Sequence, residues 1–263
     1  MTTKEDKLAA FSRLLDIMDE LREKCPWDQK QTLESLRHLS IEEVYELSEA
    51  ILERDLQEIK KELGDVLLHI VFYAKIASET NDFDITDVIQ SLCEKLIRRH
   101  PHIYGDVKAD SEEQVKQNWE QLKQQENKVK KSVLAGVPTS LPALVKAIRI
   151  QEKVRSVGFD WEEKEQVWEK VEEEMQEFKE AFNTTQDFDK NEAEAELGDL
   201  LFSLVNYARF IDINPATALE KTNRKFTRRF QYLEQAAEKA GRSLNDMTLA
   251  EMDRYWHEAK AEE

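Results

Sequence analysis

Two short acidic patterns, EExxE and ExxD, occur in the same order twice in this chain. The first copy places Glu42, Glu43 and Glu46 ahead of Glu62 and Asp65; the second places Glu173, Glu174 and Glu177 ahead of Glu196 and Asp199. Residues three apart on an α-helix lie one turn apart on one face, so each pattern presents paired carboxylates. If the two helices of a copy run antiparallel, four carboxylates converge. The 15 residues between Glu46 and Glu62, and the 18 between Glu177 and Glu196, are enough to end one helix, turn and begin the next.

Carboxylates gathered in a partly buried place repel one another, and a cation or protons must relieve them. A donor set of oxygens alone suits a hard ion, which here means Mg²⁺ with Mn²⁺ as a substitute. Among 55 acidic residues a single EExxE would be read as a solvated helix face. Two patterns in fixed order, duplicated, argue for Glu43, Glu46, Glu62 and Asp65, and for Glu174, Glu177, Glu196 and Asp199, as metal ligands. A ferritin-like di-iron site needs glutamate three positions before histidine. The residues three before the five histidines are Ser35, Val66, Ile97, Arg99 and Arg254, so that site is excluded. His69 is read as a partly buried helix residue. Gly64 and Gly198 sit inside the ExxD segments, where glycine costs up to about 1 kcal/mol against alanine, and a close helix contact is expected there.

Basic residues follow the carboxylates in both copies: Lys95 and Arg99 in the first, Lys225 and Arg229 in the second. Lys221, Lys225 and Arg229 share one helix face. Ion pairing with a neighbouring helix is the plain reading of such a stripe, but its recurrence downstream of the same carboxylates favours binding of phosphate charge. Near the end of each copy a tryptophan precedes a lysine by one turn, Trp119 with Lys123 and Trp256 with Lys260. A helical tryptophan is first of all a core anchor. The repeated pairing makes it a candidate for nucleotide contact as well.

The scaffold for these residues is legible in composition. In 263 residues there are 6 Gly and 5 Pro, while 35% are charged, which suits long amphipathic helices. Apolar residues recur with helical period, as at Leu8, Phe11, Leu14, Leu15 and Met18, and each half reads as four or five helices. Asn214 before Pro215 marks a helix start, and Thr248 with Glu251 and Ser111 with Gln114 read as capping boxes. The repeat is plainest where ELGDVLLHIVFYA, from Glu62 to Ala74, recurs as ELGDLLFSLVNYA, from Glu196 to Ala208. Between the halves, 127–142 is basic, then Gly- and Pro-bearing, and is read as a linker between domains 1–126 and 143–263.

A formal charge of −17 opposes binding to nucleic acid polymers. Cys25 and Cys93 are too few for a disulfide framework, which fits a reducing, cytoplasmic setting. The opening residues lack the apolar core of a signal peptide, and no run reaches membrane-spanning length.

With these motifs in view, the chain resembles the MazG family of all-α nucleoside triphosphate pyrophosphohydrolases. LREKCPWDQKQTLESLRHLSIEEVYEL, from Leu21 to Leu47, is similar to the opening of the family's two-domain members. LPALVKAIRIQEKVRSVGFDW, from Leu141 to Trp161, is similar to the start of their second domain. The resemblance implies two tandem MazG-like helical domains that hydrolyse a nucleoside triphosphate to monophosphate and pyrophosphate with Mg²⁺. It implies a homodimer as well. Glu174, Glu177, Glu196 and Asp199 would hold metal, with Glu173 assisting deprotonation of the attacking water. Lys170, Lys225 and Arg229 would meet phosphate charge, with Trp256 and Lys260 at the nucleotide. The second half is expected to be the main site, because Leu39 stands where it has Lys170, and His100–Pro101 follows the first basic pair where it has Phe230.

Overall fold

The computed structural model describes residues 2–107, 111, 114–115, 118–119, 122, 132–183 and 189–262. Lys123 and the first residues of the expected linker, 127–131, lie outside them. Every α- or 3₁₀-element among the described residues is helical and no strand occurs, as the composition implies. The chain divides into two compact units, Met1–Trp119 and Glu120–Glu263.

The first unit contains α1 (Lys4–Lys24), a 3₁₀ turn (Asp28–Lys30), α2 (Leu33–Glu53), α3 (Leu56–Ser78), α4 (Ile85–Arg99) and the short α5 (Pro101–Tyr104). Helix starts are set by side chains that accept from the first free N–H groups. Thr3 and Asp6 form a capping box on α1, Thr32 and Ser35 one on α2, and Asp84 and Asp87 one on α4. The core joins Met18 of α1, Leu36 of α2 and Val71 and Phe72 of α3, with Phe11, Leu14, Leu15, Leu39 and Ile76 packed around it. Leu8, which shares the period of that α1 stripe, is exposed instead. Residue α1 Arg22 ties the 3₁₀ turn down: its guanidinium donates to the Asp28 and Gln31 carbonyls and pairs with Glu79 at 2.6 Å.

The turn between α2 and α3 decides which carboxylates meet. Arg54 takes a left-handed conformation at φ 59° and its N–H caps the Ala50 and Ile51 carbonyls. Asp55 follows at once as the N-cap of α3, accepting from Gln57 and Glu58. A two-residue connection folds the helices back on each other. Glu46 and Glu62 then stand about 11 Å from the turn on either side, and Glu43 and Asp65 about 16 Å, at a rise of about 1.5 Å per residue.

The second unit contains α6 (Ala143–Arg155), α7 (Lys164–Asn183), α8 (Lys190–Phe210), α9 (Pro215–Lys239), a 3₁₀ turn (Leu244–Asp246) and α10 (Leu249–Ala261). Asn214 caps α9 with Pro215 at its first position, and Thr248 with Glu251 forms the capping box of α10. Ser111 Oγ accepts from the Gln114 N–H, one arm of the expected box. Val167 and Val171 of α7 and Leu200 and Val205 of α8 are buried, and Gln151 of α6 donates to the Phe202 carbonyl at 2.8 Å. Arg209 clamps Asp160 through two nitrogens, with Asn206 accepting from the same guanidinium. Part of the expected linker packs on α6: the Lys153 ammonium donates to the carbonyls of Val133 and Ala135, and Lys146 to Thr139.

The expected close contact at the helical glycines is not made within either unit. A methyl group built on Gly64 or Gly198 would meet nothing within 4 Å. Helix propensity alone then predicts that Gly64→Ala raises the stability of the first unit by up to about 1 kcal/mol. Thermal denaturation checks this; a lowered midpoint would mean that another surface presses on this face.

Candidate metal and phosphate site

In each unit three carboxylates converge. Oxygens of Glu43, Glu62 and Asp65 lie within 4.8 Å of one another in the first, and those of Glu174, Glu196 and Asp199 do so in the second. The fourth position of each pattern, Glu46 or Glu177, stands beside its trio. The pairing follows the spacing from the turn. Glu43 titrates above the usual carboxylate range because it is partly desolvated and faces Asp65, and Glu46 does so because of desolvation and Glu62. Glu177 is raised likewise by desolvation and by the charges of Glu174 and Glu196. Each trio has one deeply buried member. Glu62 is 3% exposed, with Oε2 buried and without a hydrogen-bond partner, and Glu174 is 7% exposed.

One lysine offsets each trio, from opposite helices. In the second unit Lys170 reaches Glu174 at 2.7 Å and Glu173 at 3.0 Å from one turn earlier on α7. Leu39, its counterpart, packs into the first core. There Lys61, on α3, approaches Glu62 at 2.9 Å and Glu58 at 3.3 Å, and its counterpart in the second unit is Ala195. Both ammonium groups are held charged above the ordinary lysine range by these carboxylates. Sequence reasoning found Lys170 but missed Lys61, although a lysine directly before the ExxD glutamate in one copy alone was the available signal.

His69, read from sequence as partly buried, is buried and stands at the first trio. Its Nε2 lies 3.9 Å from a Glu43 oxygen, and burial pushes its pKa down while Asp65 opposes that shift. Ser40 holds the other side of the ring, with Oγ 3.1 Å from Nδ1 and 2.7 Å from the Tyr73 hydroxyl. The second unit has Ser203 in place of His69, and its Oγ donates to the Leu200 carbonyl.

The basic positions and the tryptophans recur as contacts. The Arg229 guanidinium lies 5.6 Å from the Trp256 ring centre, and Arg99 lies 5.8 Å from that of Trp119. Phe226 packs against Trp256 from one turn before Phe230. Lys225 and Lys260 are exposed, and Lys95 is half-buried. An open groove of about 440 Å³ lies elsewhere on α7 and α8, where Trp168 and Tyr207 meet at 4.8 Å, and no site carboxylate lines it. No described helix is long and apolar enough to cross a membrane.

This arrangement offers two acidic clusters that could hold a metal ion, each in a unit with its own arginine–tryptophan pair. Comparison with known proteins agrees with that duplication. The model of the MazG nucleotide pyrophosphohydrolase domain matches residues 31–104 and again 162–233, which hold the carboxylates and basic residues of both copies but neither tryptophan. The chain is 49% identical to the nucleoside triphosphate pyrophosphohydrolase/pyrophosphatase MazG of Thermotoga maritima, over 95% of each chain. It is 38% identical to the nucleoside triphosphate pyrophosphohydrolase of Escherichia coli K12, over 96% of this chain and 98% of that one.

Proposed function

The chain belongs to the MazG nucleotide pyrophosphohydrolase domain family, and from that premise we propose that it hydrolyses nucleoside triphosphates to monophosphate and pyrophosphate, with Mg²⁺ as the working ion and the second unit as the main active site. The observation that carries this reading is the convergence of a Glu–Glu–Asp trio, one member buried, in both units. Glu174, Glu196 and Asp199, with Glu177 beside them, would hold the ion; Glu43, Glu46, Glu62 and Asp65 would do so in the first unit. Mn²⁺ is a credible substitute for an oxygen donor set. A divalent ion bound there neutralises triphosphate charge and lowers the pKa of water. Glu173, exposed and next to Glu174, would accept the proton of the attacking water. Lys170 would turn from Glu174 to phosphate oxygens once the carboxylates are neutralised. Lys225 and Arg229 would take the remaining phosphate charge, with Trp256 and Lys260 at the nucleoside; Lys95, Arg99, Trp119 and Lys123 would be their counterparts in the first copy of the repeat.

The asymmetry between the units supports the ranking. Helix α4 ends at Arg99, where Pro101 prevents its continuation, whereas α9 runs ten residues past Arg229. Broad tolerance of the base is part of the proposal, as are domains 1–126 and 143–263 joined by 127–142, a cytoplasmic setting and no nucleic acid polymer as partner. Incubating the full chain with each ribo- and deoxyribonucleoside triphosphate and Mg²⁺, and separating products by ion exchange, tests the reaction. Monophosphate with pyrophosphate is expected; diphosphate with orthophosphate, or no turnover, overturns it.

A homodimer is also proposed. Leu63, Leu67 and Ile70 form an exposed i, i+4, i+7 stripe on α3 at 38–53%, and the repeat-related Leu197, Leu201 and Leu204 do the same on α8 at 39–55%. Apolar stripes left outside a core are interface material. Leu67→Glu with Leu201→Glu is expected to convert the dimer to monomer by light scattering; an unchanged dimer would place its interface elsewhere.

A further inference from the structure

We propose that Lys61 is the phosphate-binding lysine of the first unit, doing from α3 what Lys170 would do from α7, so that the first-unit cluster takes a nucleoside triphosphate in its own right. This rests on the reading that the acidic clusters hold a divalent ion. The lysine and the buried glutamate have changed helix together. In the first unit the buried member of the trio is Glu62 of α3, and Lys61 on that helix approaches it at 2.9 Å. In the second it is Glu174 of α7, and Lys170 on that helix approaches it at 2.7 Å. The same positions in the other copy, Ala195 and Leu39, carry no charge. Consecutive helix residues do not face one another, so the helix by itself does not bring Lys61 to Glu62.

A lysine present only to offset a buried charge would be expected inside with its partner. Lys61 instead keeps 61% of its side chain exposed over a glutamate side chain that is 4% exposed, so the ammonium sits at the mouth of the cluster. The two oxygens of Glu62 are not equivalent. Oε1 meets Lys61, while Oε2 is buried without a hydrogen-bond partner, which leaves a place for a second cation beside the ammonium. Once Glu43, Glu62 and Asp65 share a divalent ion they no longer need the lysine, and two like charges on one carboxylate repel. Lys61 is then released outwards, where its remaining partner Glu58 is an exposed residue 3.3 Å away that holds it weakly. A free ammonium at that mouth suits a triphosphate chain, since lysine serves phosphate as a mobile point charge.

The test uses the full chain with the second cluster disabled by Glu174→Gln and Glu196→Gln as the parent. Titration calorimetry follows two probes: Mg²⁺ alone, and, with Mg²⁺ present, an adenosine triphosphate analogue bearing a methylene group between its α and β phosphorus atoms. Lys61→Met should weaken analogue binding about tenfold or more. It should leave Mg²⁺ binding within about threefold or make it tighter, because a competing cation is gone. Lys61→Arg, which keeps the charge, should hold analogue binding within about threefold of the parent. Circular dichroism of each variant separates loss of the site from loss of the fold. Analogue binding that is unchanged in Lys61→Met, or absent from a parent that binds Mg²⁺, overturns the proposal and leaves the metal reading standing. Mg²⁺ binding that weakens in step with analogue binding overturns it too, since Lys61 would then only support the cluster. Failure of the folded parent to bind either probe overturns both readings.

Discussion

Glu174→Gln should lower kcat/KM for nucleoside triphosphate hydrolysis by about 10²–10³-fold, while Glu43→Gln should change it by less than about threefold. The amide keeps the shape of the side chain and removes its charge, so the comparison isolates electrostatics. Glu174 is the buried member of its trio and the acceptor for Lys170. A glutamine there weakens the hold on a divalent ion and leaves Lys170 paired with Glu173 alone. Part of the loss should return at high Mg²⁺, since weakened binding can be overcome by concentration and lost chemistry cannot. In the first unit the lysine sits on Glu62 rather than on the EExxE helix, and the basic helix stops at Arg99. Steady-state kinetics of both variants, with folding checked by circular dichroism, decides the matter. Equal losses would refute the ranking of the units.

The acidic patterns were legible because period and order are properties of sequence: EExxE and ExxD each specify a helix face, and duplication removed chance. Caps at Asn214 and Thr248 were legible for the same local reason. Which carboxylate stands level with which was not, because the Arg54–Asp55 turn sets that level and its left-handed residue carries no glycine signal. The pairing of Glu43 with Asp65 and Glu46 with Glu62 therefore emerges only from the hairpin. Lys61 and Lys170 show a second limit. The charge needed beside a buried glutamate can come from either helix, so matching the copies column by column reports a loss at Leu39 that the fold has repaired elsewhere. His69 shows a third, since a histidine on an apolar face reads as core until its neighbours Ser40 and Glu43 are located in space.

The ELGD segments also conceal opposite solutions to packing, and Phe72→Asn exposes them. Phe72 is 2% exposed among Met18, Leu36 and Val71, with the Arg22 guanidinium 5.9 Å from its ring centre. Its counterpart in the repeat, Asn206, is also buried, yet it accepts from Arg209, which in turn grips Asp160. Asparagine thus occurs at this position in the second unit because partners were built around it. Transplanted to the first unit, the amide loses the apolar contact of the ring, leaves a cavity and finds Met18, Leu36 and Val71 as neighbours. Ring removal alone costs about 3–5 kcal/mol, and an unpaired buried amide adds about 1–3 kcal/mol. A loss near the upper end equals most of the stability of an ordinary domain, so the first unit should unfold at low denaturant. Two compact units need not unfold together, and the chain is best followed by hydrogen exchange resolved to peptides rather than by one global midpoint. Protection should collapse across α1–α3 and persist in α7 and α8. Collapse of both sets together would show that the units fold as one cooperative body, and unchanged protection in α1–α3 would remove Phe72 from the centre of the first core.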